Sequence, residues 1–168
     1  MAPFFERIAD DIILVEMPNQ LRTFIDAMAQ EVRLTLGDPT MPAHPRLAAP
    51  INPALNDDDP LSRLEREMTI ETNCDIVFAS VALRTITLDQ ARAWQKVLSV
   101  AAGLRAHELG VVTAADRENL DEMNDAFFTA LSALQYRLIV AIDPELDAEI
   151  NPGLYEGLED LPTDPDRQ

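Results

Sequence analysis

The sequence predicts an all-α protein: a bundle of about four to five amphipathic helices, with a small extended N-terminal hairpin and a proline-rich connector. Three observations carry that prediction. Apolar residues recur at i, i+3, i+4 and i+7 over several long stretches. Cap signatures stand at the starts of those stretches. Prolines cluster between two of them and again near the C-terminal end.

The elements follow in order. Residues 4–16 read as two short extended runs about Asp10-Asp11, because Ile12-Ile13-Leu14-Val15 is rich in β-branched residues and too short for a helix. Pro18 suits a helical first turn, where its missing N–H costs nothing. Leu21, Phe24, Ile25, Met28, Val32 and Leu36 then form one stripe, and Gly37 stands where a left-handed C-cap belongs. Residues 37–60 hold six of the twelve prolines and read as a long irregular connector. His44 falls within it.

Asp58 or Asp59 followed by Pro60 predicts the start of a helix running to about Met68. Thr69 or Thr72 is expected to cap a further helix, with Ile70, Cys74, Val77, Phe78 and Val81 on one face. Thr87-Leu88-Asp89-Gln90 matches a capping box. The helix it opens carries Leu88, Ala91, Trp94, Val97, Leu98, Ala101 and Leu104, and Gly110 closes it. Thr113-Ala114-Ala115-Asp116 is expected to start the last long helix, with Leu120, Met123, Phe127, Leu131, Leu134 and Leu138 turned inward. Pro144 ends it. Residues 1–142 thus read as one helical domain, and 143–168 as an acidic, partly mobile tail.

Thirty acidic residues oppose thirteen lysines and arginines, for a net charge of −17. Nucleic-acid binding works by cationic neutralisation of phosphates, so no direct nucleic-acid binding is expected. Anionic membranes are disfavoured for the same reason. No stretch approaches the roughly 18–20 uninterrupted apolar residues of a membrane span, and acids interrupt the N-terminus where a signal peptide would be basic and then apolar. One cysteine cannot form an internal disulfide and fits a reducing compartment. A cytoplasmic location is expected.

Reactive side chains are sparse. Neither His44 nor His107 has a glutamate three residues before it, as a carboxylate-bridged di-iron helix requires. His107 suits the C-terminal dipole of its helix. Cys74 shares the apolar face and reads as packing. The best carboxylate constellation is Glu118, Asp121, Glu122 and Asp125, at helical i, i+3, i+4, i+7 spacing. Such a set can hold a hard divalent cation, though acids in a helix's first turns more often make a solvated face. Asn56-Asp57-Asp58-Asp59 lacks the spacing and glycine of a calcium loop and reads as helix capping. No catalytic residue and no cofactor is assigned. In the tail, Leu154, Tyr155, Leu158 and Leu161 would share one face of a two-turn helix, able to dock on the domain itself or in a partner's groove.

The order of features resembles the actinobacterial family called domain of unknown function 2017. Pro53-Ala54-Leu55-Asn56-Asp57-Asp58 looks like its Pro-x-Ala-Tyr-x-Asp-Asp stretch. Ala93-Trp94 through Leu98, then Leu109-Gly110-Val111, is similar to its Ala-Trp-Leu … Leu-Gly-Val helix, and Leu131, Leu134-Gln135 and Leu138 to its terminal helix. The resemblance covers roughly residues 4–142. Ser99, Val100, Ala101 and Ala102 stand where that family usually carries Asn-Asp-Leu-Arg. The resemblance brings no activity. It implies a regulatory or accessory setting, since the family's genes are often found near that of the Clp protease adaptor and near cysteine-synthesis genes.

The expected function is therefore a non-enzymatic, acidic interaction or regulatory protein that meets an unidentified protein partner through Leu154, Tyr155, Leu158 and Leu161 plus the acidic face of the last helix. A symmetric homodimer is the default form of any self-association through a leftover apolar face. The alternatives are a divalent-metal protein or hydrolase built on the four carboxylates, and an acidic mimic of nucleic acid.

Overall fold

A computed structural model describes residues 4–38, 40, 60–143 and 145. The connector beyond Thr40 and the tail beyond Glu145 lie outside the described residues. The elements are β1 (Phe5–Ala9), β2 (Ile12–Val15), α1 (Asn19–Gly37), α2 (Pro60–Ser80), β3 (Thr85–Thr87), α3 (Leu88–Glu108), α4 (Ala114–Glu118) and α5 (Glu122–Ile142).

The expected hairpin is present, and all-α is corrected by what joins it. A third strand, β3, completes an antiparallel sheet in the order β1-β2-β3. Phe5 faces Val15 and Ile13 faces Ile86 across the ladders, and all four are buried. Three residues are too few for a period-two pattern to be seen in a sequence. What recruits them is Ile86, whose side chain goes into the core while Thr85 stays exposed.

α1 begins at Asn19, with Pro18 as its N-cap rather than within its first turn. Gly37 is its last helical residue and not a left-handed cap; Asp38 follows in extended conformation. Among the described glycines, Gly110 alone has positive φ, 69°, at the end of α3.

The break expected at Thr69 or Thr72 does not occur. α2 is one continuous helix, and the Thr69 hydroxyl donates to the Glu65 carbonyl one turn back instead of capping a new start. The converse correction applies downstream. The expected single helix from Thr113 is two: Thr113 and Asp116 form a capping box for the short α4, the chain breaks at Asn119-Leu120, and Asp121 caps α5 by accepting from the Asn124 N–H. Met123 consequently points out, 82% exposed, where an inward position was expected.

α3 is the central helix. It packs against α1, α2 and α5, and its N-terminal end meets β2 and β3. Trp94 sits in its second turn with no exposed surface. The Trp94 indole N–H donates to the buried Ser80 hydroxyl at 2.8 Å, and Phe5 meets the indole edge to face at 6.3 Å. Ser80 in turn donates to the Ile76 carbonyl. Sheet, α2 and α3 thus converge on one aromatic side chain.

Two arginines fasten the ends of elements. The Arg22 guanidinium donates to the carbonyls of Val81, Leu83 and Val15 at 2.7, 2.8 and 3.0 Å, pinning the α2–β3 turn to β2. Arg7 donates to the hairpin carbonyls of Ala9 and Asp10 and, at 2.9 Å, to the Ile142 carbonyl at the end of α5. That carbonyl belongs to the last turn, which has no intrahelical donor, so a cation there suits it.

Candidate functional site

The four carboxylates of the metal reading do not share a helix face. Glu118 ends α4, Asp121 is the N-cap of α5, and Glu122 and Asp125 lie in the first turn of α5. The break at Asn119-Leu120 separates the first from the rest. Two of the four are also engaged: Asp121 accepts from the Asn124 backbone and side chain at 2.8 and 2.9 Å, and Asp125 pairs with Arg117 at 3.6 Å. Among the described residues, no group of three or more His, Cys, Asp or Glu side chains is placed to hold one metal ion.

Cys74 lies inside the core beside Val77 with no exposed surface. Burial pushes its thiol up to about 11, against an opposing pull from the Arg33 guanidinium. At neutral pH it is a protonated packing group. His107 is exposed in the last turn of α3. His44, the Asn56–Asp59 run, and Leu154, Tyr155, Leu158 and Leu161 lie outside the described residues.

Cations are held by aromatic faces. Arg105 lies over the Phe127 ring at 4.8 Å and Arg117 over the Phe128 ring at 4.8 Å, while Phe24 packs on Phe127 at 5.6 Å. Arg105 also pairs with Glu31 of α1 at 3.3 Å, and Arg137 stacks on Phe4 at 4.5 Å. These contacts fix α5 against α1, α3 and the sheet without presenting a free nucleophile or base. Gln135 adds a donated bond, 2.9 Å, to the Ser99 hydroxyl. This is a polar link between α3 and α5. Asp116 is held below the usual carboxylate range by hydrogen bonds from the Val112 and Thr113 backbone N–H groups. It is the cap residue of α4.

The surface feature that sequence reasoning missed is α5 itself. Its inner side buries Phe128, Leu131, Leu134, Leu138 and Ala141. Its other side exposes Ala126, Thr129, Ala130, Ala133 and Tyr136. No charged residue occurs from Ala126 to Tyr136, in a chain of net charge −17. An open depression at the helix start is lined by Asp121, Glu122, Met123 and Ala126. Among the described residues, α5 is also the one helix long and apolar enough to cross a membrane by length and composition, and 28% of its most apolar window is buried. Asn124, Thr129, Ser132 and Gln135 interrupt its apolar residues, so no unbroken apolar run marks this helix in the sequence.

No family model, curated protein or solved structure matches this chain.

Proposed function

We propose that the protein is a non-enzymatic interaction protein of the cytoplasm, working by contact with a protein partner. The observation that carries the proposal is the outer side of α5: an uncharged, largely exposed helix face on a strongly acidic chain. A helix is ordinarily paired or charged on the side it shows to water. The other side chains that attract attention are engaged in caps, ion pairs and ring stacking, which supports a scaffold role. The acidic tail, through Leu154, Tyr155, Leu158 and Leu161, is the second proposed contact. Resemblance to the family named above supports an accessory setting near Clp-dependent proteolysis or cysteine synthesis.

The test is affinity capture from native lysate with the full chain, Ala133→Arg on α5 and Leu158→Asp in the tail. Loss of a captured protein in either variant, with unchanged helical circular dichroism, assigns the contact to that element. Capture unaffected by both variants removes both surfaces. Capture that survives about 0.5 M NaCl separates this reading from an acidic mimic, whose binding rests on exposed charge.

A further inference from the structure

We propose that the outer face of α5 seats the same face of a second copy, antiparallel, as the interface of a symmetric dimer. The inference rests on the interaction reading above and names the first occupant of that face.

The spacing is the first argument. Ala126, Thr129, Ala133, Tyr136 and Val140 follow at steps of 3, 4, 3 and 4, the repeat of a helix–helix seam. The buried residues Leu131, Leu134, Leu138 and Ala141 follow at 3, 4 and 3. One helix thus carries two seams; the inner one is buried where α5 packs on α3, while Ala126, Thr129, Ala133 and Tyr136 of the outer one are exposed and Val140 is half-buried. Small side chains at the middle of the outer seam let a second helix approach closely, within the ~8–10 Å of ordinary helix pairs.

Charge selects the occupant. The exposed charges that α5 itself carries stand at its two ends, Glu122 and Asp125 in the first turn and Arg137 near the other end, and Arg117 of α4 reaches the first end, donating to the Thr129 hydroxyl at 3.3 Å. Asp125 is held by Arg117 at 3.6 Å, so Glu122 is the acid left for a partner, and antiparallel self-pairing about a two-fold axis near Leu131 brings Glu122 of each copy toward Arg137 of the other. The same operation sets Ala126 opposite Tyr136 and Thr129 opposite Ala133. A patch that complements itself under a two-fold rotation is what a closed homodimer requires. A parallel pair would place acid on acid, and an anionic bilayer would meet the same acids.

Sedimentation velocity on the full chain tests this at micromolar concentration. The wild type is expected at twice the 18.7 kDa of one chain, and Ala133→Arg at the mass of one chain, with circular dichroism and Trp94 emission unchanged. Arg137→Glu is expected to weaken the dimer by about tenfold, and adding Glu122→Arg to restore it. That rescue separates pairing across the interface from loss of the Arg137–Phe4 contact. A monomeric wild type overturns the proposal, whether α5 is then found protected from hydrogen exchange by its own chain or the protein sediments with lipid vesicles. A dimer that persists in Ala133→Arg overturns it too. A monomer whose captured partner is lost in Ala133→Arg rejects the dimer and leaves the interaction reading standing. A dimer that captures nothing else keeps the dimer and ends the search for a second protein.

Discussion

Trp94 has one polar atom, and the core gives it one partner. Removing the Ser80 hydroxyl leaves a buried N–H without its partner, which costs the desolvation of that group. Ser80→Ala is expected to destabilise the protein by about 1–3 kcal/mol, read as a lower urea midpoint. The chain's only tryptophan is the reporter, since its emission shifts red on exposure. Cys74 makes a second prediction, on pH. Its thiol titrates near 11 in the fold against 9.0 without it, so the folded state binds the proton more tightly. The stability this confers is whole below pH 9 and is lost as pH rises through 11, by about 2–3 kcal/mol. A thiol reagent at pH 8 should leave the native protein unlabelled and react fully in denaturant. Rapid native labelling would contradict the burial.

At the scale of elements, Thr87 belongs to two at once. It ends β3, pairing with Ile12, and its hydroxyl accepts from the Gln90 N–H to start α3, while the Gln90 side chain accepts from the Thr87 N–H. Thr87→Ala is expected to cost about 1 kcal/mol and to lower the melting temperature by roughly 2–4 °C. An unchanged melting temperature would mean that the cap contributes nothing. The capping box was legible in the sequence because its four residues are local. So were the hairpin and α1, whose signals also lie within one element. The errors fell where a local signal has two readings. Thr69 matches a cap and also tolerates a helix interior by bonding one turn back. Asp121 matches a solvated face and is in fact a cap. That one ambiguity hid the break before α5, turned Met123 outward, and dispersed the carboxylates proposed for a metal. The outer seam of α5 was legible in principle, as a charge-free run in an acidic chain. Reading it required knowing which side α3 covers, and that is a tertiary fact.

For the whole molecule, like charge is the dominant electrostatic fact. A net charge of −17 on 168 residues disfavours the compact state through self-repulsion, and salt screens it. Raising NaCl from low concentration to about 0.2 M, where the screening length is below ~8 Å, is expected to raise the melting temperature. A fall would show that ion pairs such as Arg105–Glu31 outweigh the repulsion. Salt also favours any second copy, because two chains of the same charge must meet.

Arg7 and Arg137 have a consequence for how this chain can be rewired. Arg7 of the first strand holds the last carbonyl of α5, and Arg137 of α5 stacks on Phe4. The beginning of the folded body therefore lies beside its end. Chain order is then a convention of synthesis more than a requirement of the architecture. A short glycine-serine bridge from Asp143 back to Phe4, with new ends opened between Asp38 and Pro60, would give a permuted gene whose product keeps every helix and all three strands.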